Sequence, residues 1–154
     1  MNPISVVEHK GMRFVIMDAP SNSNLPSYLQ ELKRNGVQHV VRVCDPTYEI
    51  ELLEREGIQV HDWSFPDGES PPSWVITNWL AIVQPGCRLA IHCVAGLGRA
   101  PVLVAVALME NGVEAEDAVA MIRKGRRGAI NSKQLRFLQK YKPRGSAQGC
   151  CIIL

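Results

Sequence analysis

The sequence predicts a single α/β domain with a mostly parallel central sheet and helices on both faces. Three observations carry this. Short apolar, β-branched runs alternate with helix-period stretches along the whole chain, the pattern of successive strand–helix units. The 154 residues suffice for one well-packed domain and are too few for two ordinary ones. Hydrophobic content of 46% against 21% charged residues belongs to a globular chain rather than a disordered one.

In order, Met12–Met17 (MRFVIM) reads as a first strand and Pro20–Asn24 as a turn. Leu25–Asn35 places Leu25, Tyr28, Leu29 and Leu32 on one helical face, and Gly36 ends it. Val37–Cys44 is a strand, Glu49–Glu56 a short helix closed by Gly57, and Ile58–Trp63 another strand. Ser64–Pro72 (SFPDGESPP) is a Pro- and Gly-rich loop. Ser73–Val83 is a helix with Ser73 as its cap, and Cys87–His92 a buried strand. Three helices follow, Arg99–Asn111, Glu114–Lys124 and Ser132–Tyr141. The domain is expected to span 1–144, with 145–154 as a short tail. In parallel sheets sites lie at the carboxyl ends of strands, so Cys44, the Asp67 loop and Cys93 are expected on one edge.

Bulk properties narrow the classes. The longest strongly apolar run, Ala100 to Met109, is about half of what a membrane-spanning helix needs. MNPISVVEHKGMRF has no apolar core behind a basic flank, so no secretory signal is expected. The five cysteines lack paired spacing and suggest reactive or modified thiols rather than a disulfide framework. Charge is segregated: residues 1–117 hold eight Lys/Arg against fifteen Asp/Glu, while 118–154 hold nine Lys/Arg and no acid. Either the C-terminal third meets an anionic partner or it is a solvated basic face. Trp74 and Trp79 fit a core or an interface equally, which leaves homo-oligomerisation open.

The chemistry concentrates in His92-Cys93-Val94-Ala95-Gly96-Leu97-Gly98-Arg99-Ala100, between a strand and a helix. Gly96 and Gly98 let the backbone curl so that the amides of Val94 to Gly98 face inward as an anion nest. The following helix adds its positive dipole end. Arg99, in that helix's first turn, can grip two oxygens of a phosphoryl group. The same field favours a nucleophilic thiolate at Cys93, whose attack on phosphorus would form a phosphocysteine. His92 is read as orienting the loop through hydrogen bonds rather than carrying protons. Asp67, on the turn Trp63-Ser64-Phe65-Pro66-Asp67-Gly68, suits the acid that protonates the leaving oxygen. Asp62 lies nearer the strand end and is read as structural. The glycines lack a following Lys-Ser/Thr, against a nucleotide-binding P-loop. Neighbours His92 and Cys93 face opposite sides of a strand, against a zinc site with Cys87. No metal, cofactor or nucleic acid is expected.

HCVAGLGRAPVLVAVAL, with RVCDPTYE, DWSFPDG, RRGAINSKQL and a terminal Cys-Cys-aliphatic-aliphatic-X, resembles the phosphatases of regenerating liver, the prenylated protein tyrosine phosphatases of type IVA. The resemblance runs from about Met12 to Leu154. It implies a dual-specificity-type fold, Cys93 as nucleophile, Arg99 as phosphate ligand, Asp67 as acid, and Cys44 as the thiol that forms a reversible disulfide with Cys93. It also implies cyclin M magnesium transporters as partners at the active-site face, and hence an alternative function as a binding regulator switched by Cys93 phosphorylation or oxidation. The stretch Lys124–Arg127 is expected to contribute to such docking. A sulfurtransferase of rhodanese type is disfavoured by Arg99 and the Asp67 loop.

Ala100 stands where most cysteine phosphatases carry Ser or Thr. A hydroxyl there would hydrogen-bond the departing thiolate, so a long-lived phosphocysteine and slow turnover are expected. Pro66 occupies a position that is often Asp in relatives, and Ser64 one that is often Pro. Cys151-Ile152-Ile153-Leu154 fits the pattern read by a prenyltransferase, with a terminal Leu favouring geranylgeranyl. The basic segment before it would add attraction to an anionic membrane surface. Expected substrates are phosphotyrosine proteins or phosphoinositides, met on the cytoplasmic face of a membrane.

Overall fold

The structure, a computed structural model, describes residues 1–145. One five-stranded sheet runs in the order β1-β2-β5-β3-β4, formed by β1 (Ser5–His9), β2 (Met12–Met17), β3 (His39–Arg42), β4 (Gln59–Asp62) and β5 (Arg88–His92). β2, β5, β3 and β4 are mutually parallel, and β1 pairs antiparallel with β2. The helices are α1 (Leu25–Arg34), α2 (Glu51–Arg55), α3 (Ser73–Ile82), α4 (Arg99–Glu110), α5 (Ala115–Arg123) and α6 (Ser132–Lys140).

Strand side chains alternate between two cores, because successive residues point to opposite faces. Phe14, Ile16, Val41, Leu89 and Ile91 enter the larger core, with residues of α3 to α6. Val15, Met17, Val40 and Ala90 enter the smaller, with Leu25, Tyr28 and Leu32 of α1 and Leu53 of α2. α4 is buried along its whole length, which explains why its apolar residues show no single stripe. Trp79 is wholly buried and donates through Nε1 to the Leu103 carbonyl at 2.7 Å. Trp74, by contrast, is exposed.

Three readings of the sequence need correction. β1 is a strand where none was expected; as an edge strand it has one covered face, and Val6 points to solvent. Pro72, not Ser73, occupies the cap of α3, with no side-chain cap bond. The basic stretch Lys124–Arg127 is not a uniform docking face. Arg126 is buried, bonded to Ser5 Oγ and to the carbonyls of Pro3, Ile16 and Ala95, and paired with Asp18. Arg144 is likewise fixed. Glu110, buried at the end of α4, accepts from the Tyr141 hydroxyl and the amides of Arg144 and Gly145, and the Arg144 guanidinium bonds Ser73 and Thr77 of α3. The tail after Gly145, with Cys150 and Cys151, lies outside the described residues.

Candidate active site

β5, β3 and β4 are adjacent and parallel, so the segments leaving their carboxyl ends share one edge of the sheet. Cys93 follows β5, Cys44 lies two residues beyond β3, and the loop carrying Asp67 follows β4. The expected gathering of these three segments is therefore what the topology produces.

The Cys93–Gly98 loop is pinned by its carbonyls. Val94 O accepts from the Ala19 amide at 3.0 Å, Leu97 O from the Ile130 amide at 2.7 Å, and Ala95 O from Arg126 Nη1 at 3.1 Å. Among the described residues, the amides of Val94 to Gly98 have no protein acceptor. Carbonyls tied outward and amides left free make an anion nest. Gly96 turns the loop at φ +65°, and a Cβ there would sit 2.8 Å from Arg126 Nη1 and 3.1 Å from Met17 O. This close approach, rather than flexibility, explains the glycine. Cys93 is 4% exposed beneath the loop.

Arg99 opens α4 and is buried. Its Nη1 donates to the Phe65 carbonyl at 3.1 Å, and its Nε, wholly buried, has no hydrogen-bond partner. Asp67 Oδ1 lies 3.7 Å from that Nε, close enough for charge attraction and too far for a hydrogen bond. The Asp67 carboxyl itself is almost fully exposed. Asp62 points elsewhere: it forms a two-pronged pair with buried Arg42, which holds its carboxyl below the usual range.

His92 is buried behind the cysteine. Its Nδ1 lies 3.2 Å from the Cys93 carbonyl and its Nε2 2.8 Å from the Tyr48 hydroxyl. A carbonyl can only accept, so the proton resides on Nδ1 and Nε2 accepts from Tyr48. Burial pushes the imidazole down to about 4 and the Tyr48 hydroxyl upward, so both stay neutral. This supports an orienting part for His92, through hydrogen bonds. Cys44 Sγ lies 3.8 Å from His92 Nδ1. Burial raises the Cys44 thiol, Arg99 acts against that, and the nearby Cys93 and Asp45 push it further up. Cys44, Cys87 and Cys93 are all unpaired in this structure.

Several residues of this assembly escaped the sequence. Tyr48 and Arg126 carry no local signal. Asn131 and Gln134 do: an Asn followed three residues later by Gln is a capping-box pattern, and the box is formed at the start of α6. Asn131 Nδ2 reaches Gly68 O at 3.2 Å, and Gln134 Nε2 reaches Glu69 O at 3.1 Å, in the Asp67 loop.

A buried thiol followed by a loop of free amides and by an arginine whose buried Nε is unbonded is chemically matched to a tetrahedral dianion, which places the chain in the class of cysteine-dependent phosphatases. No protein-family profile matches the chain, but individual relatives do. Protein tyrosine phosphatase type IVA 3 of Bos taurus is 52% identical over 144 residues, 90% of this chain and 83% of that protein. Type IVA 2 of Mus musculus is 49% identical over 158 residues, 95% of each. The PRL-1 phosphatase of Drosophila melanogaster is 52% identical over 146 residues, 91% of this chain and 83% of that protein. The chain belongs to the protein tyrosine phosphatase type IVA family, as the motifs around Cys93 suggested. Among solved structures, a protein tyrosine phosphatase from Leishmania major superposes with a TM-score of 0.78 at 44% identity, covering 90% of this chain and 97% of that one. Human DUSP28, at 16% identity and a TM-score of 0.65, shares the fold over 90% of this chain and 95% of its own.

Proposed function

We propose that this tyrosine phosphatase acts through a Cys93 phosphocysteine, with Arg99 and the amides of Val94 to Gly98 holding the phosphoryl oxygens and Asp67 as the acid. The observation that carries the reading is the buried Arg99 Nε without a hydrogen-bond partner, a costly arrangement that an incoming phosphoryl oxygen relieves. In the first step Cys93 Sγ bonds to phosphorus and the bond to the tyrosyl oxygen breaks, with Asp67 giving that oxygen its proton. In the second, water attacks phosphorus, Asp67 takes a proton back, and thiolate and phosphate leave. Buried Ala100 offers no hydroxyl to the departing thiolate, so the second step is slow. Rapid mixing of reduced protein with an aryl phosphate tests this: a burst approaching one equivalent and a slow steady state are expected, with no burst from Cys93→Ser. Turnover without phosphoenzyme accumulation would sink the stalled intermediate.

A docking role is supported by the exposure of Val94 (63%) and Leu97 (43%) on the loop itself, an apolar rim suited to a protein surface. In this reading a cyclin M transporter covers the site, and phosphorylation or oxidation of Cys93 controls docking. Binding that is identical for unmodified and phosphorylated Cys93 protein would count against it. Phosphotyrosine proteins are the substrates we favour; phosphoinositides enter because PTPMT1, which shares the fold at 18% identity, has been solved in complex with PI(5)P. We place Cys151 as the prenylated residue that brings the enzyme to the cytoplasmic face of an anionic membrane. Cys151→Ser should release it to the cytosol, and unchanged membrane fractionation would refute the anchor. Cys44 is the disulfide partner we assign to Cys93, tested by loss of the oxidised species in Cys44→Ser.

A further inference from the structure

The capping box of α6 uses the two ends of each side-chain amide differently. Asn131 Oδ1 accepts from the Gln134 backbone amide at 2.7 Å, and Gln134 Oε1 accepts from the Asn131 backbone amide at 3.1 Å. An amide whose oxygen is held this way must aim its NH2 elsewhere. Here both NH2 groups donate to the acid loop, Asn131 to Gly68 O and Gln134 to Glu69 O, the two residues directly after Asp67. Lys133 adds an ion pair to the Glu69 carboxylate at 2.7 Å.

The same segment grips the anion loop on its other side. The Ile130 amide donates to Leu97 O at 2.7 Å from a backbone φ of +70°. For a β-branched residue that conformation is strained and persists only where the surroundings impose it. Gln134 is wholly buried, and a Cβ on Gly98 would lie 3.2 Å from its Nε2. Residues 130–134 thus span the two loops that must meet for proton transfer to the leaving oxygen.

We propose that Asn131 and Gln134 are positioning residues for the acid step: the helix cap fixes their amides so that their NH2 groups hold the Asp67 loop closed over the Cys93 loop. The proposal rests on the reading of Asp67 as the acid. It separates helix stability from loop closure, because Asn131→Asp keeps an oxygen for the cap while replacing the donor that faces Gly68 O with an acceptor.

The test is the rate of phosphoenzyme formation in single-turnover mixing of the full chain with phenyl phosphate and with 2,4-dinitrophenyl phosphate. The second leaving group departs without a proton, so it does not need the acid. Asn131→Asp should slow the phenyl ester about fivefold more than the activated ester, the effect of one hydrogen bond, with a thermal midpoint lowered by no more than about 4 °C. Slowing of both esters alike, or of neither, overturns the positioning assignment. Asp67→Asn distinguishes the underlying reading: if it too slows both esters alike, Asp67 is not the acid and the proposal falls with it. If Asp67→Asn slows the phenyl ester selectively and Asn131→Asp does not, only the positioning assignment is lost.

Discussion

Arg126 lies in a run of basic residues, and its replacement decides whether it is a surface charge or a keystone. Its guanidinium, 9% exposed, meets Ser5 Oγ at 3.0 Å, Asp18 Oδ1 at 2.9 Å, and the carbonyls of Ile16, Ala95 and Pro3 at 2.9, 3.1 and 3.2 Å. Arg126→Met keeps the apolar stem and removes every donor. Breaking a buried pair costs roughly 3–5 kcal/mol when its partner is left without compensation. Asp18 keeps some hydration and a bond from Asn2, so the lower end, about 3 kcal/mol, applies. In a domain of this size that lowers the thermal midpoint by roughly 6–12 °C. Urea unfolding measures the loss directly. Because Ala95 O loses its donor, the folded variant should also bind vanadate more weakly than wild type. An exposed arginine would cost under about 0.5 kcal/mol; a loss that small would refute the buttress.

Gly96→Ala should abolish oxoanion binding, because its Cβ would collide with Arg126 and Met17 O at a φ that costs an alanine about 1–2 kcal/mol; wild-type vanadate affinity would contradict this. Trp79→Phe should destabilise by about 1–3 kcal/mol through the lost bond to Leu103 and the lost volume, read from urea unfolding. Stability should fall as pH drops from 6.5 towards 4. Over that range an unfolded His92 takes up a proton that the buried imidazole, held down to about 4, does not. The difference amounts to roughly 3 kcal/mol, and half-buried His39 and His61, also lowered, act in the same direction. His92→Gln should flatten this acid limb, whereas an unchanged slope would exonerate His92.

What could be read from the sequence follows the range of the forces involved. The inner strands β2, β5 and β3 were legible because both their faces are buried, so apolar residues dominate them; β2 matches Met12–Met17 residue for residue. β1 was not, because an edge strand with one covered face carries only a weak alternation. The anion loop was legible because its parts, a cysteine, two glycines and an arginine, are contiguous. Arg126 was not, since its acceptors lie at positions 3, 5, 16, 18 and 95. In sequence it is one cation among several, and only the folded sheet gives it partners. Tyr48 is similar, an aromatic residue in a turn until β3 and β5 bring it against His92.

The two loops of the site are held by bonds of different strength, and this bears on how the enzyme turns over. The Cys93 loop is fixed from below by buried donors and by neutral His92, so the nest costs little further ordering when an anion arrives. The Asp67 loop is anchored at Phe65 by the buried Arg99 bond, but around Gly68 and Glu69 it is held only by bonds to carbonyls, each worth about 1 kcal/mol net, and by an exposed ion pair worth less. Such a set can release and re-form on every cycle without disturbing the fold. Substrate entry therefore has to open only the Asp67 side, while the Cys93 side stays assembled. With the loop so readily opened, access of water to the proposed phosphocysteine is not the obstacle, and the slow hydrolysis we propose is better assigned to the missing hydroxyl at Ala100. Ala100→Ser should then speed the steady state more than any substitution that loosens the acid loop. A faster steady state from Asn131→Asp than from Ala100→Ser would reverse that assignment.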